Sequence, residues 1–333
     1  MRILVGGGAG FIGSHFAEAA CKTWPSARVT VLDKLTYAGV RSNLDSLKCY
    51  PRFRFIKGSI NDRSLVRKLL RETDLLVNFA AETHVDRSLL WAGSFLDTDV
   101  MGTFNLLEVA RELKTVQRIV LMSTDEVYGP VMHGEAREMS RLDPSSPYSA
   151  SKASGDLLAL AYARSFGLPV SIPRACNIYG PRQFPEKFIP LFTINALLGR
   201  PLPLYGDGKQ KREWMHVADA VQGVITVAKR GKPGEIYNIG TADRRTNIEV
   251  ARRIVSAAGA PESLIKPVKD RPGHDRRYAV SASKLRRTGW KPGVKFPAGL
   301  ESTVRWYRDN PGWWKPLLAR EEKYFRLQYS GRR

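Results

Sequence analysis

Cysteine is scarce. The 333-residue chain has three, Cys21, Cys49 and Cys176, far apart and in no CxxC or Cys/His cluster. That excludes a disulfide framework and argues for no metal site, and a sparse, odd count suits a reducing compartment. Long apolar runs are missing too: no stretch approaches the ~18 residues a membrane-spanning helix needs. Acids are outnumbered, 32 Asp and Glu against 53 Lys and Arg, for a formal net charge of +21. Such a balance raises nucleic acid or a membrane surface as partners. Yet like charges do not run in blocks. The densest clusters, Lys209–Arg212, Arg271–Arg277 and Lys284–Arg287, are short and interrupted. The reading is a basic solvated surface with an anionic small ligand, and no nucleic-acid or membrane partner. The N-terminus enters a strand and a glycine loop at once, which leaves no room for a signal peptide and predicts a cytoplasmic protein.

What is present is an ordinary globular composition, 43% hydrophobic and 26% charged, which argues against disorder. Strands are predicted at Arg2–Val5, Val29–Leu32, Phe53–Lys57, Leu75–Ala80, Arg118–Ser123 and Val170–Arg174. Helices are predicted at Phe11–Thr23, Arg63–Arg71, Ser94–Leu113 and Pro147–Phe166. This alternation means βαβ units: an α/β fold with a Rossmann-type, doubly wound parallel sheet. Beyond it, proline and glycine punctuate the chain from Pro181 to Gly208. Helices are expected at Phe188–Leu198, Val217–Lys229, Asn247–Ala258 and Ala298–Asp309, forming a smaller mixed α/β lobe for the substrate.

Gly7-x-x-Gly10-x-x-Gly13 falls between the first strand and the first helix. Glycines there allow a tight turn and close approach of a pyrophosphate to a helix N-terminus. Asp33 ends the second strand, where a ribose-binding acid belongs. A 2′-phosphate would meet that carboxylate, so the cofactor reads as NAD rather than NADP. Tyr148 and Lys152, four apart, share one helix face, and Ser123-Thr124 closes the fifth strand. A free phenol ionises near pH 10, so Tyr148 needs positive neighbours to act as a base. Lys152 and an oxidised nicotinamide would supply them, with Thr124 bonding the same substrate oxygen. Asp125 and Glu126 add two carboxyl groups beside that centre.

GxxGxxG with YxxxK resembles the extended short-chain dehydrogenase/reductase superfamily. Further stretches narrow it: Asp33–Gly39, Ala80–Ser88, Asn177–Pro181, Phe184–Lys187, Tyr205–Gly208, Tyr237–Gly240, Arg271–Tyr278 and Val304–Tyr307. Over nearly its whole length the chain resembles the dTDP-glucose 4,6-dehydratases. The resemblance implies residues 1–175 as an NAD-binding Rossmann domain. Residues 176–333 would be mainly a sugar-nucleotide-binding lobe, with some chain returning to the sheet. It implies hydride transfer from sugar carbon 4 to NAD with Tyr148 as base. Glu126 then removes the carbon 5 proton, Asp125 protonates the leaving hydroxyl of carbon 6, and the hydride returns there. That requires Asp125 protonated while Glu126 is ionised.

The same resemblance implies a cofactor site along Gly7, Gly10, Phe11, Ile12 and Gly13, then Asp33, Lys34, Leu35 and Thr36. Ser59, Ile60, Phe79, Ala80, Ala81, Thr83, Thr98 and Ile178 join it, with Tyr148 and Lys152. Thr83, Thr124, Asn177, Lys187, Phe188, Pro203, Tyr205, Arg212, Asn247, Arg271 and His274 would hold the nucleotide sugar. Arg212 would take the diphosphate, because its planar fork donates in pairs. The two long helices resemble a dimer-forming pair, so a homodimer is expected. Three departures stand out: Gly6 for the family's usual Thr, Asp99 for Asn, and Ser59 for Asp. Loss of the Ser59-position carboxylate predicts weaker NAD binding. Alternatives are a UDP-, CDP- or GDP-sugar 4,6-dehydratase, or a 4-epimerase, which needs Tyr148 and Lys152 but not the Asp125–Glu126 pair. A non-catalytic NAD-binding or nucleic-acid-binding protein would have no use for these four residues.

Overall fold

The structure, a computed structural model, describes residues 1–329. An eight-stranded sheet is its frame. Its strands are β1 (Arg2–Gly6), β2 (Arg28–Asp33), β3 (Phe53–Lys57), β4 (Leu75–Asn78), β5 (Arg118–Leu121), β6 (Ser123–Thr124) and β7 (Val170–Ala175). The short β8 (Asn177–Tyr179), β9 (Leu202–Tyr205) and β10 (Lys211–His216) lie outside it, and β11 (Glu235–Ile239) returns to it. The order is β11-β7-β5-β4-β1-β2-β3, with β6 beside β7, and every pairing is parallel.

Both faces are covered, which is why β4 is apolar at successive positions rather than at alternate ones. On one face α1 (Phe11–Thr23) packs, with Phe16 and Ala17 fully buried. On the other lie α2 (Arg63–Leu70) and, further on, Leu106, Leu107 and Val109. After α2 come α3 (Val85–Leu90), α4 (Ala92–Phe95), α5 (Gly102–Leu113) and α6 (Pro147–Phe166). The segment expected as one helix from Ser94 to Leu113 is broken: a π-helical turn, Leu96–Met101, joins α4 to α5. The widened turn seats Asp99 in the interior, 2% exposed, where two hydrogen bonds meet it. β4 stops at Asn78, two residues short of the expectation, because Phe79 and Ala80 turn out of the sheet while the Asn78 side chain accepts the Ala80 N–H.

The rest is α7 (Phe188–Leu197), α8 (Val217–Arg230), β12 (Arg244–Thr246), α9 (Asn247–Ala258), β13 (Ile265–Val268), α10 (Ser283–Arg286), α11 (Phe296–Asp309), α12 (Pro311–Arg320) and α13 (Glu322–Tyr329). β12, β10 and β8 form a three-stranded sheet, and β13 pairs with β9. A separate core of Tyr179, Phe192, Trp214, Ile254 and Leu300 holds this lobe together. α8 does not belong to that core: Val221 and Val224 join α1 against the large sheet. α12 and α13 run back toward the first half. There the Arg87 guanidinium is stacked between Tyr37 and Tyr324, 3.7 and 3.8 Å from the ring centroids, and pairs with Glu186 and Glu321 at 2.6 Å. Among the described residues no helix is long and apolar enough to cross a membrane.

Candidate active site

A cavity opens at the carboxyl ends of the sheet strands, bounded by the first turn of α1 on one side and by β8 and the Gln183–Lys187 segment on the other. Its floor is backbone. Gly7 turns with φ +67°, and a Cβ there would lie 2.4 Å from the Ala80 nitrogen. A Cβ on Gly13 would lie 2.2 Å from the Gly7 carbonyl oxygen. The glycine pattern is thus required by close approach, and Gly10 caps α1 without any side chain. Asp33 lines the cavity, and its carboxylate accepts the Ala9 N–H at 2.9 Å and the Leu35 N–H at 2.8 Å. Lys34, Thr36, Ser59, Ile60, Phe79, Ala80, Ala81, Thr83, Thr98 and Ile178 line it with them. Leu35 does not: at φ 56° it turns the chain and serves through its N–H.

Tyr148 and Lys152 face the same cavity from α6. Pro147 starts that helix, and Ser146 and Ser149 cap it reciprocally, so the Tyr148 backbone is fixed. The Lys152 ammonium donates to the Met122 carbonyl at 2.8 Å. Thr124 accepts the Glu126 N–H at 3.2 Å and donates to Asp125 at 3.3 Å. Burial pushes the Tyr148 phenol well above its ordinary range; the Glu126, Asp99 and Asp125 carboxylates push the same way, and the Thr124 hydroxyl opposes them. The protein alone therefore holds Tyr148 protonated.

The two carboxyls differ. Asp125 is 2% exposed, and its second carboxyl oxygen has no hydrogen-bond partner among the described residues. Burial first, then Glu126 and Glu213, push it well up. Glu126 is also raised by burial, but Arg271, Arg212 and Lys187 all favour its charged form. Three cations thus act on Glu126, while Arg212 and the Thr124 hydroxyl act on Asp125 against a stronger push from burial and two neighbouring acids.

Of the residues expected to hold the sugar nucleotide, Thr83, Thr124, Asn177 and Lys187 line the cavity. Asn177 presents a buried oxygen with no hydrogen-bond partner among the described residues, and Lys187 donates to the Thr83 carbonyl. Arg212 and Arg271 approach Glu126 from beyond it. Arg212 donates to the Asp275 carbonyl at 2.9 Å and lies 4.3 Å from the centre of the Tyr278 ring. Tyr205 donates to Asp86 at 3.1 Å, and its ring meets His274 edge-on. His274 bonds Asp270 at 2.6 Å, and burial with Arg271 and Arg212 lowers it to about 4. Asn247 is buried at the start of α9, and Pro203 sits in β9. Phe188 stacks on Phe192 with centroids 4.2 Å apart, a lobe-core contact.

Sequence reasoning missed Glu82, Gln183, Phe184 and Cys176 as cavity walls. Glu82 and Phe184 stand inside the stretches that carry the resemblance, so only their direction was hidden, whereas Gln183 and Cys176 fall just outside them. Burial drives the Cys176 thiol well up, which makes it wall rather than nucleophile.

A parallel sheet with a glycine-floored cavity at its carboxyl end, and a Tyr/Lys pair facing it, defines an extended short-chain dehydrogenase/reductase. Residues 4–303 match the family model described as GDP-mannose 4,6 dehydratase, and the chain belongs to that family. It is 48% identical to a dTDP-glucose 4,6-dehydratase of Streptomyces niveus over 97% of either chain. Among solved structures it is similar to the dTDP-glucose 4,6-dehydratase of Streptomyces venezuelae with NAD bound. There the TM-score is 0.93 at 50% identity, covering 95% of this chain and all of that one. It is also similar to a Thermus thermophilus UDP-glucose 4-epimerase in complex with NAD. That match has TM-score 0.85 at 33% identity, covering 93% of this chain and all of that one.

Proposed function

We propose that this chain is a dTDP-glucose 4,6-dehydratase that turns dTDP-glucose into dTDP-4-keto-6-deoxyglucose and water. The observation that carries the reading is the Asp125–Glu126 pair beside Tyr148, Asp125 pushed well up by burial and acidic neighbours and Glu126 facing three cations. The cavity fits NAD: its glycine floor admits no Cβ at Gly7 or Gly13, and Asp33 stands at the end of β2. When bound, NAD supplies the oxidising and then the reducing equivalent.

Tyr148 takes the proton of the carbon 4 hydroxyl, and Thr124 holds that oxygen. Lys152, together with a cationic nicotinamide when one is bound, would offset the carboxylates that keep Tyr148 protonated in the protein alone. The carbon 4 ketone acidifies the carbon 5 proton, which Glu126 removes. Asp125 gives its proton to the carbon 6 hydroxyl, which leaves as water. Arg212 and Arg271 balance the diphosphate charge, and Asn177 and Lys187 orient the sugar. A 4-epimerase shares the scaffold and the Tyr/Lys pair, but not a need for these two carboxyls.

A homodimer fits the surface. α3 with the Trp91 that follows it, the π turn and α6 expose Leu90, Trp91, Leu96, Met101 and Leu157, of which Leu157 is 57% exposed. Such a patch asks to be covered, and Met101→Glu with Leu157→Glu should turn a dimer into a monomer in light scattering. A reducing compartment, and hence the cytoplasm, agrees with three free thiols.

The test is incubation with dTDP-glucose in heavy water, followed by product mass. Loss of one water with one solvent deuterium retained is the expected result. An unchanged mass from folded, NAD-loaded protein would overturn the nucleotide assignment and call for UDP-, CDP- and GDP-sugars.

A further inference from the structure

Asp99 lies behind the cavity rather than in its wall, and no step above uses it. Its carboxylate joins three segments. One oxygen accepts the Glu82 N–H at 3.1 Å, on the loop that follows β4. The other accepts the Ser151 hydroxyl at 2.7 Å, one residue before Lys152 on α6. The third segment is the π turn that carries Asp99 itself. An asparagine would serve both partners: its oxygen could accept from Glu82, and its amide could donate to Ser151, whose hydroxyl also accepts. The clamp therefore does not need the charge. Burying a carboxylate is costly, and what the charge adds is an attraction to the Lys152 ammonium and a repulsion of the Tyr148 phenolate.

We propose that Asp99 is a positioning residue of the reaction: its buried carboxylate clamps the Glu82 loop to α6 at Ser151, between Tyr148 and Lys152, so that its charge sets the pH at which Tyr148 works as a base. This rests on the reading of Tyr148 as that base. The charged groups around it are few. From α6 they are Lys152 and Tyr148, and from the loop after β4 it is Glu82, which burial and Asp99 together raise to about 7. Glu82 in turn feels Arg87, Lys34 and Glu186, and Tyr148 feels Glu126 and Asp125. Burial brings Asp99 itself to about 6, so it is an anion through the neutral and alkaline range. A nearby anion disfavours phenolate, so its removal must favour it.

The experiment is the pH profile of turnover of dTDP-glucose by wild type and Asp99→Asn. The ascending limb should move toward acid by about 1 pH unit, the scale of a single charge at short range, with the plateau rate nearly kept. Asp99→Ser, smaller and equally neutral, should move it the same way and covers any misfit of asparagine. The phenolate absorbance that disappears in Tyr148→Phe should titrate with the same shift in the absence of turnover. A limb that stays in place, or moves toward alkali, in folded Asp99→Asn and Asp99→Ser overturns the proposal. Tyr148→Phe separates the two claims. If it loses turnover while the neutral variants leave the limb unmoved, Asp99 alone is misread; if it keeps full turnover, the assignment of Tyr148 falls and this inference with it.

Discussion

Gly7, Gly10 and Gly13 shape the proposed cofactor half of the cavity with backbone, whereas the proposed sugar half is served by long cationic side chains, Lys187 in its wall and Arg212 and Arg271 from beyond it. The first is rigid because a parallel ladder and α1 fix every atom of the turn. The second converges from three segments that are far apart in sequence, and each side chain is held by a local partner: Lys187 by Thr83, Arg212 by Asp275, Arg271 by its Asp86 neighbour at 3.8 Å. A backbone site tolerates no added atom. A side-chain site should tolerate change and answer in affinity.

The sharpest break of that contrast is Gly7→Ala. A methyl 2.4 Å from Ala80, on a residue held at φ +67°, should cost about 2–4 kcal/mol and abolish NAD retention. Thermal unfolding and the cofactor content of the purified protein read both effects. Full NAD occupancy in a stable variant would show that the backbone floor is softer than its contacts imply.

At the junction of the halves, Glu126→Gln should leave oxidation at carbon 4 intact but slow water loss by about 10²–10⁴-fold. Reduced cofactor should then accumulate, visible by absorbance. Water loss at the normal rate would move the base elsewhere. Asp125→Asn should fail at the same step, because an amide has no acidic proton for the leaving hydroxyl.

In the sugar half, Arg212→Lys should raise KM about tenfold and change kcat much less, since one point charge replaces a paired donor. The lost bond to the Asp275 carbonyl is checked by the melting temperature. A fall in kcat with unchanged KM would give Arg212 a part in the chemistry.

The same contrast governs how much of the molecule its sequence reveals. The glycine spacing, Asp33, Tyr148–Lys152 and Thr124–Glu126 are legible because each function sits on consecutive or one-face residues of a regular element. Alternating strands and helices likewise give the large sheet. The π turn at Leu96–Met101 is not legible, since its cause is a tertiary one: Asp99 reaching Glu82 and Ser151. Nor is the clasp of Arg87 by Tyr37, Tyr324, Glu186 and Glu321, whose members span most of the chain. Phe188 shows how a motif hides packing: it is read from its motif as a ligand contact, and its ring also packs on Phe192 at the edge of the lobe core.

The smallest expected effect tests the rigid half at its rim. Ser59 lines the cavity, and its hydroxyl accepts the Asn61 N–H at 3.1 Å. A carboxylate at this position can keep that acceptor role with one oxygen and turn the other toward the cofactor's adenine end. Ser59→Asp should therefore tighten NAD binding by roughly threefold to tenfold, the value of one net hydrogen bond of about 1 kcal/mol. Direct titration of cofactor-free protein measures it. Unchanged affinity would mean that the backbone floor supplies nearly all of the binding and the rim almost none, which draws the line between the two halves inside the cofactor site itself.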